Sequence, residues 1–109
     1  MAASEYIVVL VTASSSEEAD RLAEALVGER LAACVSIAGP VRSVYRWEGV
    51  VERSDEQLLV IKTRRVVFEA LAERVRELHS YTTPEVIAVS IEAGSASYLT
   101  WLGDNCSEQ

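Results

Sequence analysis

Two strand-like segments meet at Glu48-Gly49, midway between two segments that have the hydrophobic period of an α-helix. Residues 41–47 alternate apolar and polar side chains, the period of a half-exposed strand, and residues 57–63 form a second, mostly apolar strand. The Glu48-Gly49 dipeptide is typical of a hairpin turn, and Val50-Val51 extends the pairing beyond it. The sequence therefore predicts a long hairpin in the middle of the chain.

Strand and helix patterns flank this hairpin on both sides. A continuous apolar run predicts a central first strand. The serines at 14–16 precede Glu17 and Glu18 at capping-box spacing, so a helix should begin there and end near residues 28–30. A second apolar stripe predicts a helix that His79 closes. Residues 34–37 are extended and are interrupted by Gly39-Pro40, so that they form one long bent strand with residues 41–47. The other segments are residues 6–12 (strand), 67–78 (helix), 86–91 (strand) and 95–102 (short amphipathic helix).

The order of these elements predicts one α+β domain of the ferredoxin-like βαββαβ plan. This plan is an antiparallel sheet with two helices on one face, here with an extended central hairpin and a short C-terminal helix. We expect a single domain over residues 1–109, with its core in about 6–102 and a loose tail at 103–109. The hairpin is longer than two helices can cover, and a second copy of the chain is the simplest cap for its edges.

Composition restricts the classes of function. A formal net charge of −7 opposes binding to nucleic acid, which usually needs a basic face. No apolar stretch approaches the ~20 residues that cross a bilayer, and the N-terminus lacks the basic region of a signal peptide. The two cysteines form no CxxC pair or zinc pattern. We therefore expect a cytoplasmic protein with reduced thiols, no nucleic-acid partner and no membrane partner.

Catalytic arrangements find little support in the residues. Two distant cysteines are too few for an iron–sulfur cluster. The loop after the first strand has neither the Gly nor the Arg that an acylphosphatase-like phosphate site would need. Cys34 lies in an apolar run, where a cysteine usually behaves as a small buried hydrophobe, and nothing brings it to His79. We expect that the protein is not an enzyme and that it requires no cofactor.

Residues 79–85 (HSYTTPE) allow two interpretations. His79 and Glu85 offer an imidazole and a carboxylate, which suit Zn²⁺ or Cu²⁺, and a thiolate from Cys34 or Cys106 would favour Cu⁺. One chain supplies too few ligands, so such a site would need several copies. Alternatively, His79 is simply the C-terminal cap of its helix. The rings of the Tyr and Trp residues at 45, 47, 81 and 101 suit a ligand cleft or interface but equally a core.

Ordered motifs along the chain resemble those of the CutA divalent-cation tolerance proteins. They run from about residue 7 to 102 and occur in the family's order. They are residues 29–37 (ERLAACVSI), 43–49 (SVYRWEG), Glu56 with Lys62-Thr63, 79–85 (HSYTTPE) and 98–102 (YLTWL). The family usually has Pro where this chain has Ser80, and some relatives have a Cys where this chain has Ala13-Ser14.

The resemblance implies a ferredoxin-like homotrimer in which the long hairpins wrap neighbouring subunits, similar to the PII signalling proteins. It also implies a role in tolerance to divalent metals, with binding of copper or another divalent cation. The positions that match suggest Cys34, His79 and Glu85 as metal ligands. Trp47, Lys62 and Tyr81 would line a cleft between subunits. An alternative is a PII-like scaffold or small-molecule sensor in which the metal effects are indirect.

Overall fold

A computed structural model of the chain describes residues 5–106. The strands are β1 (Tyr6–Ala13), β2 (Cys34–Trp47), β3 (Val50–Arg64) and β4 (Ile87–Ser90), and the helices are α1 (Ser16–Gly28), α2 (Phe68–Leu78) and α3 (Ala96–Asp104). A turn of 3-10 helix at Arg65–Val67 leads into α2. All strand pairs are antiparallel, in the order β2-β3-β1-β4. The ferredoxin-like α+β prediction is confirmed.

The first helix begins where its cap predicts. Ser15 is the N-cap, and its side chain accepts a hydrogen bond from the backbone N–H of Glu18. The apolar stripes of α1 and α2 then join one face of the sheet in a single core. Alternate residues of β1 and β3 point into this core; the buried examples include Val9, Val11, Leu59 and Ile61.

The central hairpin consists of a long bent strand and its partner, as predicted. Glu48 (φ 50°) and Gly49 (φ 82°) are both left-handed, as a two-residue turn between twisted strands requires. Gly39-Pro40, joined by a cis peptide, interrupts the pairing as predicted. Pairing with β3 continues on both sides of a register shift between Ala38 and Val41, because a bulge accommodates residues that cannot join the ladder.

The outer half of the hairpin projects from the sheet. β3 pairs with β1 only over its last part, from Gln57 to Arg64, so Val50 to Glu56 pairs with β2 alone. At about 3.3 Å per residue this projection is roughly 23 Å long. It accounts for the elongated shape of the molecule, whose principal extents are 45 × 25 × 21 Å.

The sheet face opposite the core, the open sheet face, carries apolar side chains. Pairing sets Val8 beside Val89 and Leu10 beside Ile87, so these residues share a face, and Leu58 and Val60 of β3 join them. In the single chain Ile87 is 52% exposed and Val89 is 56% exposed. Apolar side chains are thus accessible on this face of the sheet.

The C-terminal segment corrects the expected boundary of the tail. Helix α3 continues through Gly103 to Asp104, and Cys106 is buried beside Thr63, with 3.5 Å between Sγ and Thr63 Oγ1. Residues 103–106 are thus part of the fold, because the thiol fills a core position; the predicted tail at 107–109 lies outside the described residues. Within residues 5–106, no helix has the length and apolar character to span a bilayer.

Candidate functional site

The segment of residues 79–85, here the 79–85 loop, connects α2 to β4 and begins at a buried histidine. The backbone N–H of His79 donates to Val75 O (2.8 Å), which makes it the C-cap of α2. Its ring Nε2 donates to Thr12 O (2.7 Å), while Nδ1 accepts from the backbone N–H of Tyr81 (3.0 Å). This network assigns the neutral tautomer with the proton on Nε2. Both ring nitrogens are therefore occupied within the subunit.

Glu18 ties the 79–85 loop to the start of α1. Oε1 accepts from the backbone N–H and the hydroxyl of Ser14, both at 2.9 Å, and Oε2 accepts from the N–H of Ser80 at 2.7 Å. The carboxylate is buried, and burial alone would raise its pKa. The hydrogen bonds from Ser14 and Ser80 outweigh that effect and lower the pKa of Glu18 to about 2. A buried anion thus holds two loops together.

A second carboxylate connects the same loop to the base of the hairpin. Glu56 is only 7% exposed, and its Oε2 accepts a 2.7 Å hydrogen bond from the hydroxyl of Tyr81. Burial and this contact with Glu56 raise the pKa of the Tyr81 phenol. The phenol therefore remains a donor at physiological pH. The Tyr81 ring also packs against His79, with ring centroids 4.6 Å apart.

These contacts frame a cleft of about 760 Å³ between the projecting hairpin and the 79–85 loop. On the hairpin side, Ser43, Tyr45 and Trp47 lie on one strand face, because alternate residues of a strand point the same way. The rings remain accessible, with Tyr45 42% and Trp47 50% exposed. The volume lies within the range of small-molecule sites. The complete lining is Thr12, Ser43, Val44, Tyr45, Trp47, Glu56 and residues 81–85.

The structure brings some of the predicted site residues together and separates others. Trp47, Tyr81 and Glu85 all line the cleft. Lys62 does not line it in one subunit, because the strand register sets Lys62 beside Cys34 instead, with its Nζ donating to Ser36 Oγ (3.2 Å). The predicted cleft lies between subunits, so the role of Lys62 in it stays a prediction.

The three suggested metal ligands do not meet within one subunit. Cys34 is half-buried on the open sheet face and pairs with Lys62 of β3. His79 contacts Thr12, which pairs with Leu58 of β3. Lys62 and Leu58 are four residues, roughly 13 Å, apart along β3, so Cys34 and His79 lie at separate places on the sheet. Over residues 5–106 no three His, Cys, Asp or Glu side chains converge in a way that could hold a metal ion.

Sequence reasoning overlooked the two buried carboxylates as site residues. The spacing of Ser15 and Glu18 predicted a helix start, and that signal identified Glu18 as a capping residue but not as an anchor for a loop sixty residues away. Glu56 was part of a family motif, yet its contact with Tyr81 depends on the tertiary approach of hairpin and loop. No local pattern encodes that approach.

The bond between Tyr81 and Glu56 gives a direct prediction. We expect Tyr81→Phe to lower the free energy of unfolding by about 1.5 kcal/mol, because a partly buried carboxylate loses a charge-assisted donor. Urea unfolding at one fixed protein concentration measures the change. Tyr45→Phe is the matched control, since its hydroxyl makes only a 3.3 Å contact with Ser54 at the surface. Equal losses in the two variants would contradict the assigned role of Glu56.

The fold and the cleft define a class: a small ferredoxin-like domain with a projecting hairpin and a cleft at its base. The sequence model of the CutA1 divalent ion tolerance protein family matches residues 7–105, and the chain belongs to this family. It is 50% identical over 98 residues to the divalent-cation tolerance protein CutA of Thermus thermophilus, covering 90% of this chain and 95% of that protein.

Relatives from plants and solved structures agree with this assignment. The chain is 47% identical over 102 residues to the chloroplastic protein CutA 1 of Oryza sativa, covering 94% of this chain but 58% of that protein. The crystal structure of CutA1 from Oryza sativa superposes with a TM-score of 0.93 at 46% identity, covering 95% of both chains. The corresponding Thermus thermophilus structure gives 0.92 at 48% identity, covering 94% of this chain and 99% of that one.

Proposed function

We propose that the protein contributes to tolerance of divalent cations as a homotrimer, binding copper or another divalent ion where subunits meet. The observation that carries this proposal is the combination of a projecting hairpin with an apolar open sheet face. The names of the relatives, divalent-cation tolerance proteins, supply the functional part of the proposal.

The assembly is supported by surfaces that one subunit leaves uncovered. Val89 and Ile87 on the open sheet face, and Val44, Val50 and Val51 on the hairpin, are each more than half exposed. Because each of these side chains is already about half covered, its full burial would contribute on the order of 1 kcal/mol. Edge strands with apolar side chains invite pairing with another chain, and a closed ring of identical subunits satisfies that pairing.

The metal ligands proposed are Cys34, His79 and Glu85, contributed by different subunits. Cys34 is a free, half-buried thiol, and Glu85 is exposed at the rim of the cleft, so both offer ligand atoms to a neighbour. His79 would have to exchange one of its two ring hydrogen bonds to bind an ion. Thiolate and imidazole suit copper, whereas Glu85 adds a harder oxygen ligand.

Copper titration tests the metal site. We expect the reduced protein to bind Cu⁺ in competition with a chromogenic chelator, and Cys34→Ser to weaken binding by at least about tenfold, since a soft thiolate is lost. Glu85→Gln should have a smaller effect on Cu⁺ and a larger one on Cu²⁺. Cys106→Ser is the matched control, because the Cys106 thiol is buried in the subunit core.

Two outcomes would contradict direct metal binding through these residues. One is equal affinity of wild type, Cys34→Ser and Glu85→Gln for both copper ions. The other is an equal loss in Cys106→Ser, which would indicate nonspecific capture by thiols. Either result would leave the family assignment intact and favour the second candidate function.

The second candidate is a trimeric scaffold or small-molecule sensor similar to the PII signalling proteins, in which metal effects are indirect. The cleft of about 760 Å³ favours it, because the cleft has the size and the aromatic lining of a small-molecule site. Protein purified without chelator and analysed by mass spectrometry after denaturation would reveal a retained metabolite.

Two further expectations belong to this proposal. We propose a binding protein rather than an enzyme, because the single histidine of the chain has both ring nitrogens in hydrogen bonds and cannot serve as a free base. We also propose a reducing, cytoplasmic location, which the two free thiols support.

A further inference from the structure

The only lysine of the chain interrupts the apolar open sheet face. Lys62 lies on β3 between Val8 of β1 and Cys34 of β2, its partners in the strand ladder. Its Nζ donates to Ser36 Oγ (3.2 Å) and to Val60 O (3.4 Å), and no carboxylate of residues 5–106 forms an ion pair with it. A neighbouring subunit that covers this face buries an ammonium group, which is unfavourable unless the neighbour supplies an anion.

A carboxylate at the base of the hairpin has the opposite need. Glu56 is only 7% exposed, and its Oε2 accepts from the Tyr81 hydroxyl. Its Oε1 accepts no hydrogen bond from residues 5–106, and the described part of the chain contains no fully enclosed side-chain oxygen without a partner. Oε1 is therefore reached from the cleft that Glu56 borders. A nearly buried anion thus keeps one oxygen for a donor outside its own subunit.

These two groups lie on the same face of β3 but too far apart to pair within one chain. The even-numbered residues from 56 to 62 alternate with the core residues of β3, so Glu56 and Lys62 both point to the open side of the sheet. Six residues along a strand correspond to roughly 20 Å. Leu58 and Val60 lie between the two charges. The open sheet face therefore has a cation at one end, an anion at the other and apolar side chains between them.

The other carboxylates of the described residues are less suited to pair with Lys62. Glu18 is also buried, but the donors of Ser14 and Ser80 occupy both of its oxygens. The remaining Asp and Glu side chains of residues 5–106 are exposed, so water already solvates them and an ion pair with them gains little. Folding has removed most of the water around Glu56, so this cost of desolvation does not recur when a cation arrives.

We infer that Lys62 of one subunit donates to Glu56 Oε1 of the next, so that three such ion pairs close the proposed homotrimer. The inference rests on that homotrimer and specifies the contact that aligns neighbouring subunits. A ring needs a head-to-tail contact between two different surface patches, and the oppositely charged ends of the open sheet face provide them. Tyr81 holds the Glu56 carboxylate in place. Because Cys34 is the ladder partner of Lys62, the same contact brings the thiol of one subunit toward the cleft that Glu85 borders in the next.

Zero-length cross-linking tests the pair, because Lys62 carries the only side-chain amine of the chain. A water-soluble carbodiimide is added to the full-length protein at neutral pH, and the linked peptides of the covalent dimer are identified by mass spectrometry after proteolysis. We expect an amide that joins Lys62 to Glu56. The roughly 20 Å between these residues in one chain excludes an origin of this amide within a single subunit.

A double-mutant cycle measures the pair through the assembly. Lys62→Met leaves Glu56 without a cation, and Glu56→Gln leaves the ammonium group without an anion. Each should raise the protein concentration at which half of the chains are trimeric by at least about tenfold, as sedimentation over a range of concentrations measures. The double variant should assemble no more weakly than the weaker single variant, because the second change removes a group that has already lost its partner. Arg21→Met and Glu24→Gln, at exposed positions of α1, are the matched controls and should leave that concentration unchanged.

Three results would overturn the ion pair while leaving the proposed assembly intact. One is a covalent dimer in which Lys62 is joined to a different carboxylate. The second is a Lys62→Met variant that assembles as tightly as wild type, and the third is a cycle in which the two losses simply add. A wild-type mass of one chain would instead overturn the homotrimer itself. If Glu56→Gln fails to fold, Lys62→Met and the cross-link still decide, because Lys62→Met leaves the bond between Glu56 and Tyr81 in place.

Discussion

Glu18→Gln should lower the free energy of unfolding by about 3 kcal/mol at neutral pH. The carboxylate accepts from Ser14 and Ser80 and has a pKa lowered from 4.5 to about 2. Each tenfold change in the acid dissociation constant of Glu18 corresponds to about 1.4 kcal/mol. The Gln side chain has one oxygen, whereas the donors of Ser14 and Ser80 now use both oxygens of the Glu18 carboxylate. The NH₂ group of Gln would therefore face a backbone N–H, which is also a donor. The loss should therefore be large for a single-atom change.

The pH dependence of this loss has a definite sign. The pKa of Glu18 is lower in the folded state than in the unfolded one, so its contribution is fully present above about pH 4.5 and is lost as the pH falls toward 2. The difference between wild type and Glu18→Gln should accordingly shrink across that window. Urea unfolding from pH 7 down to pH 2.5, at one protein concentration, measures it.

Glu17→Gln is the control for this experiment. Glu17 occupies the same first turn of α1 and has the same charge near the helix N-terminus, but its side chain is exposed. Glu17→Gln should lower the free energy of unfolding by no more than about 0.5 kcal/mol. If both variants lowered it by a similar amount, the effect would come from the helix dipole and not from hydrogen bonds that connect the two loops.

Val89→Glu should dissociate the proposed homotrimer. Wild type is expected to give a mass by light scattering of three times the 11.9 kDa of one chain. Val89 is 56% exposed on the open sheet face, which a neighbouring subunit would cover in the proposed trimer. The carboxylate introduced by Val89→Glu would then be buried without a partner, which costs several kcal/mol. A cost on the order of 4 kcal/mol weakens association about a thousandfold, so the variant should be a monomer at micromolar concentration.

Val27→Glu is matched to that variant. Val27 is also a valine exposed in the single subunit, at 42%, but it lies on helix α1 rather than on the open sheet face. It should retain the trimer mass. A wild-type mass of one chain would overturn the proposed assembly, and a trimer that survives Val89→Glu would place the interface on another surface.

Local patterns were sufficient for most of the fold. The period of α2, the cap at Ser15 and the Glu48-Gly49 turn each depend on neighbours in sequence, and each element lies where its pattern predicts. At Gly39-Pro40 the predicted interruption takes the form of a bulge, and β2 continues its pairing with β3 beyond it. The sequence was misleading beyond residue 102, where burial of Cys106 extends the ordered chain.

The site was less predictable than the fold because its contacts are long-range. Tyr81 lines a cleft of the single chain, and its partner Glu56 comes from another element. Its predicted place in a cleft between subunits stays a prediction. Glu18 and Ser80 meet only because the β1–α1 and α2–β4 connections emerge on the same side of the sheet. Such meetings depend on tertiary geometry, which no hydrophobic period or cap signal contains.

The projecting hairpin also acts as a lever arm. Its tip lies roughly 23 Å beyond the sheet, so a rotation of only about 10° at its base moves the tip by roughly 4 Å, close to the spacing of neighbouring strands. Glu56 lies at that base and is bonded to the 79–85 loop. For any rigid rotation about that base, the displacement at Glu48-Gly49 would be several-fold larger than the displacement beside Glu56, because the tip lies farther from the pivot.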